Sequence, residues 1–408
     1  FLGGAGEIGR SAVLIDGRLL LDYGMATSTP PRYPVGDVDP EAVVVSHGHL
    51  DHAGAVPALL AGDARPPVHW TPPTRDLAYT LAEDTLRLQG NTPQCPFTRT
   101  DRQRLTQVSE THGYREPFDA AGYEVTFYDA GHVPGSAHVL VSDGETRLLY
   151  TGDFHTVDQR LVSGTTARPE ADVVVTESTY ADVSHTPRAR LEDAFVRLLR
   201  ETVWGGGTAV VPAFAVGRTQ EVLLLCDAHD VDCYVDGMGT DVTDMLLDHP
   251  DFLRDADALR GARSHARYVD GARGQRERIA EENTVIVTTA GMLSGGPAMT
   301  YVPAVRDHPG NTVALTGYQV EGTPGRDLLE TGSADFDGRR LPVSACVEQF
   351  DFSAHADGDG LRSFLGAYEG SEVLVVHGDD CGGFARTLRA DGYEARAPAV
   401  GDRVTVGG

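Results

Sequence analysis

Lysine is missing from all 408 residues of this chain, so its 34 basic side chains are all arginine. Against them stand 60 acidic residues, which leave a formal net charge of -26. A lysine-free, carboxylate-rich composition resembles the proteins of a salt-loving cytoplasm, where acidic side chains keep the surface hydrated and soluble. On charge alone, such a surface repels a polyanionic substrate in dilute buffer. Cysteine is also scarce: Cys95, Cys226, Cys233, Cys346 and Cys381 are odd in number and contain no C-x-x-C pair. That argues against a disulfide framework or a cysteine zinc site, and a reducing cytoplasm is the expected location. No apolar run approaches the roughly 20 residues that span a bilayer, so no membrane association is expected. The chain opens at Phe1 with neither an initiator methionine nor a signal-like segment, and a few further N-terminal residues are expected to precede it.

The length suits two domains by the usual size of about 100 to 200 residues each. Short apolar runs bounded by glycine and aspartate fill the first part, at 12–15, 19–22, 43–45, 124–128, 138–141, 148–150 and 173–176. They predict a strand-rich, layered α/β domain. From residue 187 the pattern changes to helix-period stretches at 190–203, 220–228 and 241–247, alternating with apolar runs at 208–212, 233–236, 284–289 and 312–316. This alternation predicts a parallel sheet inserted as its own unit. Glycine-bounded apolar runs return at 341–349 and 372–377. The expected domains are therefore 1–186, 187–340 and 341–408, the first and last forming one body.

The densest chemistry lies in His47-Gly48-His49-Leu50-Asp51-His52, four metal-ligand side chains within six residues. Imidazole nitrogen and carboxylate oxygen together suit zinc, which accepts both donor types. The preceding run, 42–46, reads as a buried strand, so His47 and His49 leave it on one side. Asp51 and His52 diverge unless the chain turns there, as the helix-like stretch 53–60 suggests. One turn can then feed two neighbouring metals. His132, in Gly131-His132-Val133-Pro134-Gly135-Ser136, and Asp153, in Tyr150-Thr151-Gly152-Asp153, each follow a strand, where layered α/β sheets present their sites. His355 and His377 come late in the chain, and His377 ends an apolar strand.

The order Asp22, His47/His49/Asp51/His52, His132, Asp153, Glu177, His355, His377 resembles the metallo-β-lactamase superfamily, and specifically its β-CASP branch of nucleases. Leu21-Asp22-Tyr23-Gly24 matches the first motif, and Glu177, His355 and His377 match the three motifs that mark β-CASP members. The opening Gly3-Gly4-Ala5-Gly6-Glu7-Ile8-Gly9-Arg10-Ser11 also resembles the nuclease subunit of the pre-mRNA cleavage and polyadenylation factor and its archaeal relatives. The resemblance implies a four-layer αββα domain with a β-CASP domain inserted in it. It further implies two zinc ions, one on His47, His49, His132 and Asp153, the other on Asp51, His52, His377 and the same Asp153. Asp22 would orient a ligand histidine, while His355 would serve as general acid, held protonated by Glu177.

Ser353, Gly295 in the loop 291–297, and Arg218 are candidates to meet substrate phosphates. The implied activity is hydrolysis of single-stranded RNA, in mRNA 3′-end processing or RNA decay, by a chain that can form a homodimer. His377 favours RNA over DNA within this branch. Cutting internally and trimming from a 5′ end both remain open. The N-terminal KH extension of some archaeal relatives is not in this sequence, so the resemblance carries over no sequence selectivity. A small-molecule hydrolase of the glyoxalase or lactamase type shares the histidine cluster, but it needs no insert of such size. An inactive assembly subunit would have lost ligands, and here every ligand position is filled.

The acidic surface yields a prediction of its own. Salt screens self-repulsion, and this gain is expected to outweigh the counterion-release penalty on RNA binding. Cleavage of a short unstructured RNA should therefore rise between about 0.1 M and about 2 M potassium chloride, with circular dichroism followed in parallel. Activity that peaks at low salt in a fully folded protein contradicts it.

Overall fold

Leu19–Leu21 shows how this chain builds layers. Leu19 and Leu21 enter one core cluster while Leu20 enters another, the period-two alternation of a strand covered on both faces. Val173–Thr176 repeats the pattern, with Val173 and Val175 on the inner side and Val174 on the outer. The computed structural model describes residues 1–28, 30–90, 92–272 and 274–407.

The chain divides into two compact units. The first comprises Phe1–Asp158, Ser163–Ser184 and Ala354–Gly408. It holds a five-stranded sheet ordered Val13–Ile15, Leu19–Leu21, Ala42–Val44, Val68–Trp70, Ser109–Thr111. A seven-stranded sheet runs Glu394–Arg396, Glu372–Val375, Val173–Thr176, Arg147–Tyr150, Ala137–Ser142, Tyr123–Asp129, Pro117–Ala120. Their inner faces share a core that includes Leu21, Val44, Val125, Phe127, Val139 and Val175. Helices Pro72–Gln89 and Arg99–Val108 cover the outer face of the first sheet, packing Ala78 and Leu105 with Leu20, Val43 and Trp70. Helices Gly358–Leu365 and Cys381–Ala390 do the same for the second, through Phe364 and Leu388 against Leu149 and Val174. The architecture is the expected four-layer αββα sandwich.

The second unit, Gln159–Val162 with His185–Ser353, contains a six-stranded sheet in the order Arg267–Tyr268, Cys233–Asp236, Val285–Thr288, Ala209–Pro212, Thr312–Leu315, Cys346–Gln349. Every pairing in it is parallel. Helices such as Arg188–Trp204 and Arg218–Ala228 connect its strands. The expected boundary at 340 moves to Ser353. The run 341–349, taken from sequence as a return to the first body, instead splits. Arg339–Pro342 closes a hairpin with Ser333–Phe336, and Cys346–Gln349 adds to the parallel sheet beside Thr312–Leu315. Backbone hydrogen bonding to an existing edge decided the matter, and apolar content alone cannot reveal that.

Strand direction positions the chemistry. Val173–Thr176 is parallel to Arg147–Tyr150 on one side and to Glu372–Val375 on the other, so the segments carrying Glu177, Asp153 and His377 leave the same sheet edge. In the other sheet, Leu19–Leu21 runs parallel to Ala42–Val44, which brings Asp22 beside Ser46 and the histidine motif. The turn expected at Asp51 and His52 is a short helix, Leu50–Ala53. Among the described residues, no helix is long and apolar enough to cross a membrane.

Candidate metal centre

Seven side chains from four strand exits converge in two donor groups of the first unit: His47, His49 and His132, and beside them Asp51, His52, Asp153 and His377. In the first group, His49 Nδ1 lies 3.2 Å from His47 Nε2 and 3.1 Å from His132 Nε2. Asp153 Oδ2 is 3.7 Å from His47 Nε2. A tetrahedral ion with bonds of about 2.0–2.1 Å spaces its donors at about 3.3 Å, and this set approaches that spacing. In the second group, Asp153 Oδ1 lies 3.4 Å from His52 Nε2 and 3.6 Å from His377 Nε2, which is itself 3.7 Å from Asp51 Oδ2. The two oxygens of one carboxylate thus face different groups.

Asp153 Oδ1 is buried without a hydrogen-bond partner. Buried carboxylate oxygens are ordinarily satisfied, because leaving one bare is costly, and a bridging cation removes that cost. The donor chemistry and this orphaned atom both fit a pair of zinc ions.

Electrostatics agree. Burial, reinforced by the charge of His52, pushes the His47 imidazole well below its ordinary range. Burial does the same to His132, with His355 adding to it, and lowers His49 to about 4. These three rings are neutral at pH 7, the state that ligates. Burial also works against charge on His52, but Asp153 and Asp22 outweigh it and raise that ring well above its usual value. Loading the second group must therefore expel a proton from His52. Burial opposes ionisation of Asp153 as well, yet His377 and His52 hold it well below the carboxylate range.

Three of the candidate ligand rings, His52, His132 and His377, are braced from behind. Asp22, at the end of its strand with φ of 57°, accepts from Ser46 N at 2.7 Å and Ser46 Oγ at 2.8 Å, and from the Tyr150 hydroxyl at 2.8 Å. The same carboxylate lies 2.6 Å from His52 Nδ1, which leaves Nε2 to face Asp153. His132 Nδ1 is bonded to Ala354 O at 2.8 Å, and His377 Nδ1 to Ser11 Oγ at 2.9 Å. Such contacts fix the tautomer and the aim of a ligand imidazole. Gly24 is required here for lack of space: a Cβ would meet Asp51 O at 1.8 Å.

Beside the metal groups, Glu177 and His355 form a pair. His355 Nδ1 is 3.0 Å from Glu177 Oε2, and Glu177 also accepts from Phe154 N at 2.7 Å and Thr179 Oγ1 at 2.5 Å. Burial disfavours the imidazolium, but Glu177, with Asp153 and Asp51 behind it, raises the His355 pKa to about 9. Ions bound to Asp153 and Asp51 would cancel part of this, leaving Glu177 as the main support.

Three comparisons bear on the family. Residues 5–172 match the metallo-β-lactamase superfamily model, 219–328 the Beta-Casp domain, and 340–398 the Zn-dependent metallo-hydrolase RNA specificity domain. The chain belongs to the β-CASP branch of the metallo-β-lactamase superfamily. It is 34% identical to RNase aCSPSF2 of Saccharolobus solfataricus, over 99% of this chain and 84% of that protein. It is 30% identical to Probable RNase MJ4 of Methanocaldococcus jannaschii, over 100% and 99%. The transcription termination factor FttA of Methanosarcina mazei is 31% identical over 93% of this chain, which spans 66% of that longer protein. A crystal structure of a protein of unknown function from Enterococcus faecalis V583 superposes with a TM-score of 0.61 at 12% identity, covering 98% of both chains, and shares the fold.

Of the residues singled out in sequence, all seven candidate ligands, Asp22, Glu177 and His355 lie in the first unit. Ser353, Gly295 and Arg218 belong to the second: Ser353 is its last residue, and Arg218 opens the helix Arg218–Ala228. Sequence reading missed the bracing hydroxyls of Ser11, Ser46, Tyr150 and Thr179. Ser46 and Tyr150 border recognised motifs, but Ser11 meets a histidine 366 residues away, a pairing that no local pattern encodes.

The bracing predicts a separable effect on affinity. Asp22→Asn replaces the oxygen facing His52 Nδ1 with an amide while keeping shape, and should weaken zinc binding by about 10- to 100-fold. Competition against a chelating dye measures it; unchanged affinity in a normally folded variant contradicts the role given to Asp22.

Proposed function

We propose that this chain is a zinc-dependent ribonuclease that hydrolyses phosphodiester bonds of single-stranded RNA. The carrying observation is the Asp153 carboxylate, one oxygen toward each donor group, next to a histidine–glutamate pair that can move a proton. His47, His49, His132 and Asp153 would hold one ion, and Asp51, His52, His377 and Asp153 the other. Zinc held there would supply Lewis acidity to the phosphodiester and lower the pKa of the attacking water.

The residues of the chain do the rest. Glu177 accepts from Nδ1 of His355, which leaves the transferable proton on Nε2, and that proton goes to the departing ribose oxygen. Burial of Glu177 at 1% exposure keeps this hydrogen bond out of competition with water. Arg218, Ser353 and the backbone at Gly295 would contact phosphates; they offer a guanidinium, a hydroxyl and N–H groups of a glycine-rich loop. The net charge of -26 does not forbid this, because salt screens the global field while ions and arginines act at contact range.

RNA as substrate is supported by relatives named as RNases along nearly the whole chain and by the family description of residues 340–398. We place the activity in mRNA 3′-end processing or RNA decay in the cytoplasm. RNA labelled at either end distinguishes internal cuts from 5′ trimming.

Removing the proton donor should separate chemistry from metal binding. His355→Ala should keep the zinc of the Asp153 centre and slow cleavage by about 10²- to 10⁴-fold, whereas His49→Ala should lose zinc from that centre and activity together. Zinc analysis beside the RNA time course decides it: loss of zinc from His355→Ala reassigns that residue. Absence of RNA cleavage by zinc-loaded protein, with turnover of a lactam or thioester, would favour a small-molecule hydrolase.

A further inference from the structure

Away from the centre just described, a second group of metal-ligand side chains lies where the edge strands of the two sheets come together. Val68–Trp70 pairs in parallel with Ser109–Thr111, and the register sets His69 opposite Glu110. Residues in register on parallel strands share a face, and His112, two positions beyond Glu110, returns to it. The ladder extends this far, because His112 N donates to Trp70 O at 3.0 Å. Trp70, on the opposite face, packs into the outer core. The backbone alone therefore brings two imidazoles and a carboxylate together.

Side-chain geometry sharpens the arrangement. His69 Nδ1 lies 3.0 Å from His112 Nε2 and 3.7 Å from Glu110 Oε2, and the three donor atoms lie within 4.8 Å of one another. His112 stacks on Phe118, with ring centroids 3.7 Å apart and planes 8° apart, and His69 stacks on the same ring at 5.1 Å. Phe118 belongs to Pro117–Ala120, the edge strand of the other sheet. Both imidazoles are thus held in place before any ligand arrives. The second nitrogen of His69 is buried with no partner, so the polar contacts of this ring lie on its Nδ1 side alone. Burial lowers both rings, His69 to about 4, and neutral imidazoles need lose no proton to ligate.

We propose that His69, Glu110 and His112 form a separate binding site for one divalent transition-metal ion of the zinc class, with its remaining position open to water. Two nitrogens and one carboxylate oxygen suit that class. The nitrogens need to part only slightly from 3.0 Å toward the donor spacing of about 3.3 Å of a tetrahedral ion. Glu110, with a side chain 58% exposed, can swing to the ion while His69 stays fixed. Binding would tie the last strand of one sheet to its neighbour and stabilise the folded state as any ligand of the native form does. The site is independent of the ribonuclease reading.

Zinc stoichiometry tests it. Protein freed of metal by chelator and titrated with zinc against a competing dye should bind one equivalent more as wild type than as His112→Gln. Glu110→Gln, an exposed change with little bearing on folding, should weaken that same equivalent, and both variants should cleave RNA like wild type. In a His49→Ala, Asp153→Asn background one zinc should remain, and adding His112→Gln should remove it. Equal stoichiometry and affinity in wild type, His112→Gln and Glu110→Gln overturns the proposal, as does a folded His49→Ala, Asp153→Asn protein that binds no zinc.

Discussion

The carboxylate of Asp153 is the constraint on which the site depends. It is buried, it carries its charge inside the protein, and one of its oxygens has no hydrogen-bond partner. A lone buried anion is costly by several kcal/mol. Here the cost is offset by His52 and His377 at one oxygen and His47 at the other. Crowding so many imidazoles around one carboxylate is itself unfavourable unless cations replace protons, and the neutral state favoured for His47, His49 and His132 prepares that exchange. The residues behind the ligands follow from the same need. Asp22, Ser11 and the carbonyl of Ala354 each engage the ring nitrogen that the centre does not use.

The fold serves this convergence. Within each sheet the strands that deliver the site residues point the same way, with Tyr123–Asp129 and Arg147–Tyr150 both antiparallel to the strand between them and the others paired in parallel, so their ends gather at one edge without long excursions. Layering follows from alternate residues of Leu19–Leu21 and Val173–Thr176 finding apolar partners on both faces. A sheet covered on both sides resists distortion, and a multi-ligand centre needs donors fixed to within a fraction of an ångström.

Much of this was legible in sequence because the signals were dense or local. Four candidate ligands in six residues pointed to the donor cluster, and glycine-bounded apolar runs marked Tyr123–Asp129, Ala137–Ser142 and Val173–Thr176 nearly to the residue. Other elements escaped for physical reasons. Val68–Trp70 has three residues and carries a histidine in its middle. Pro72–Gln89 starts with two prolines, tolerated because Thr71 caps the helix and the first turn needs no N–H partners. Cys346–Gln349 is mostly exposed and owes its state to a neighbouring strand, not to its own composition. The pair His69 and His112 lies 43 residues apart, and only strand register reveals it.

In the proposed centre Asp153 would bridge two ions. Crystals grown from protein purified without chelator, with data collected at the zinc absorption edge, examine this directly. Two anomalous peaks are predicted around Asp153, one beside each carboxylate oxygen, with His47, His49 and His132 about one and Asp51, His52 and His377 about the other. A single peak or none at Asp153, in a protein that cleaves RNA at its full rate, would contradict the account.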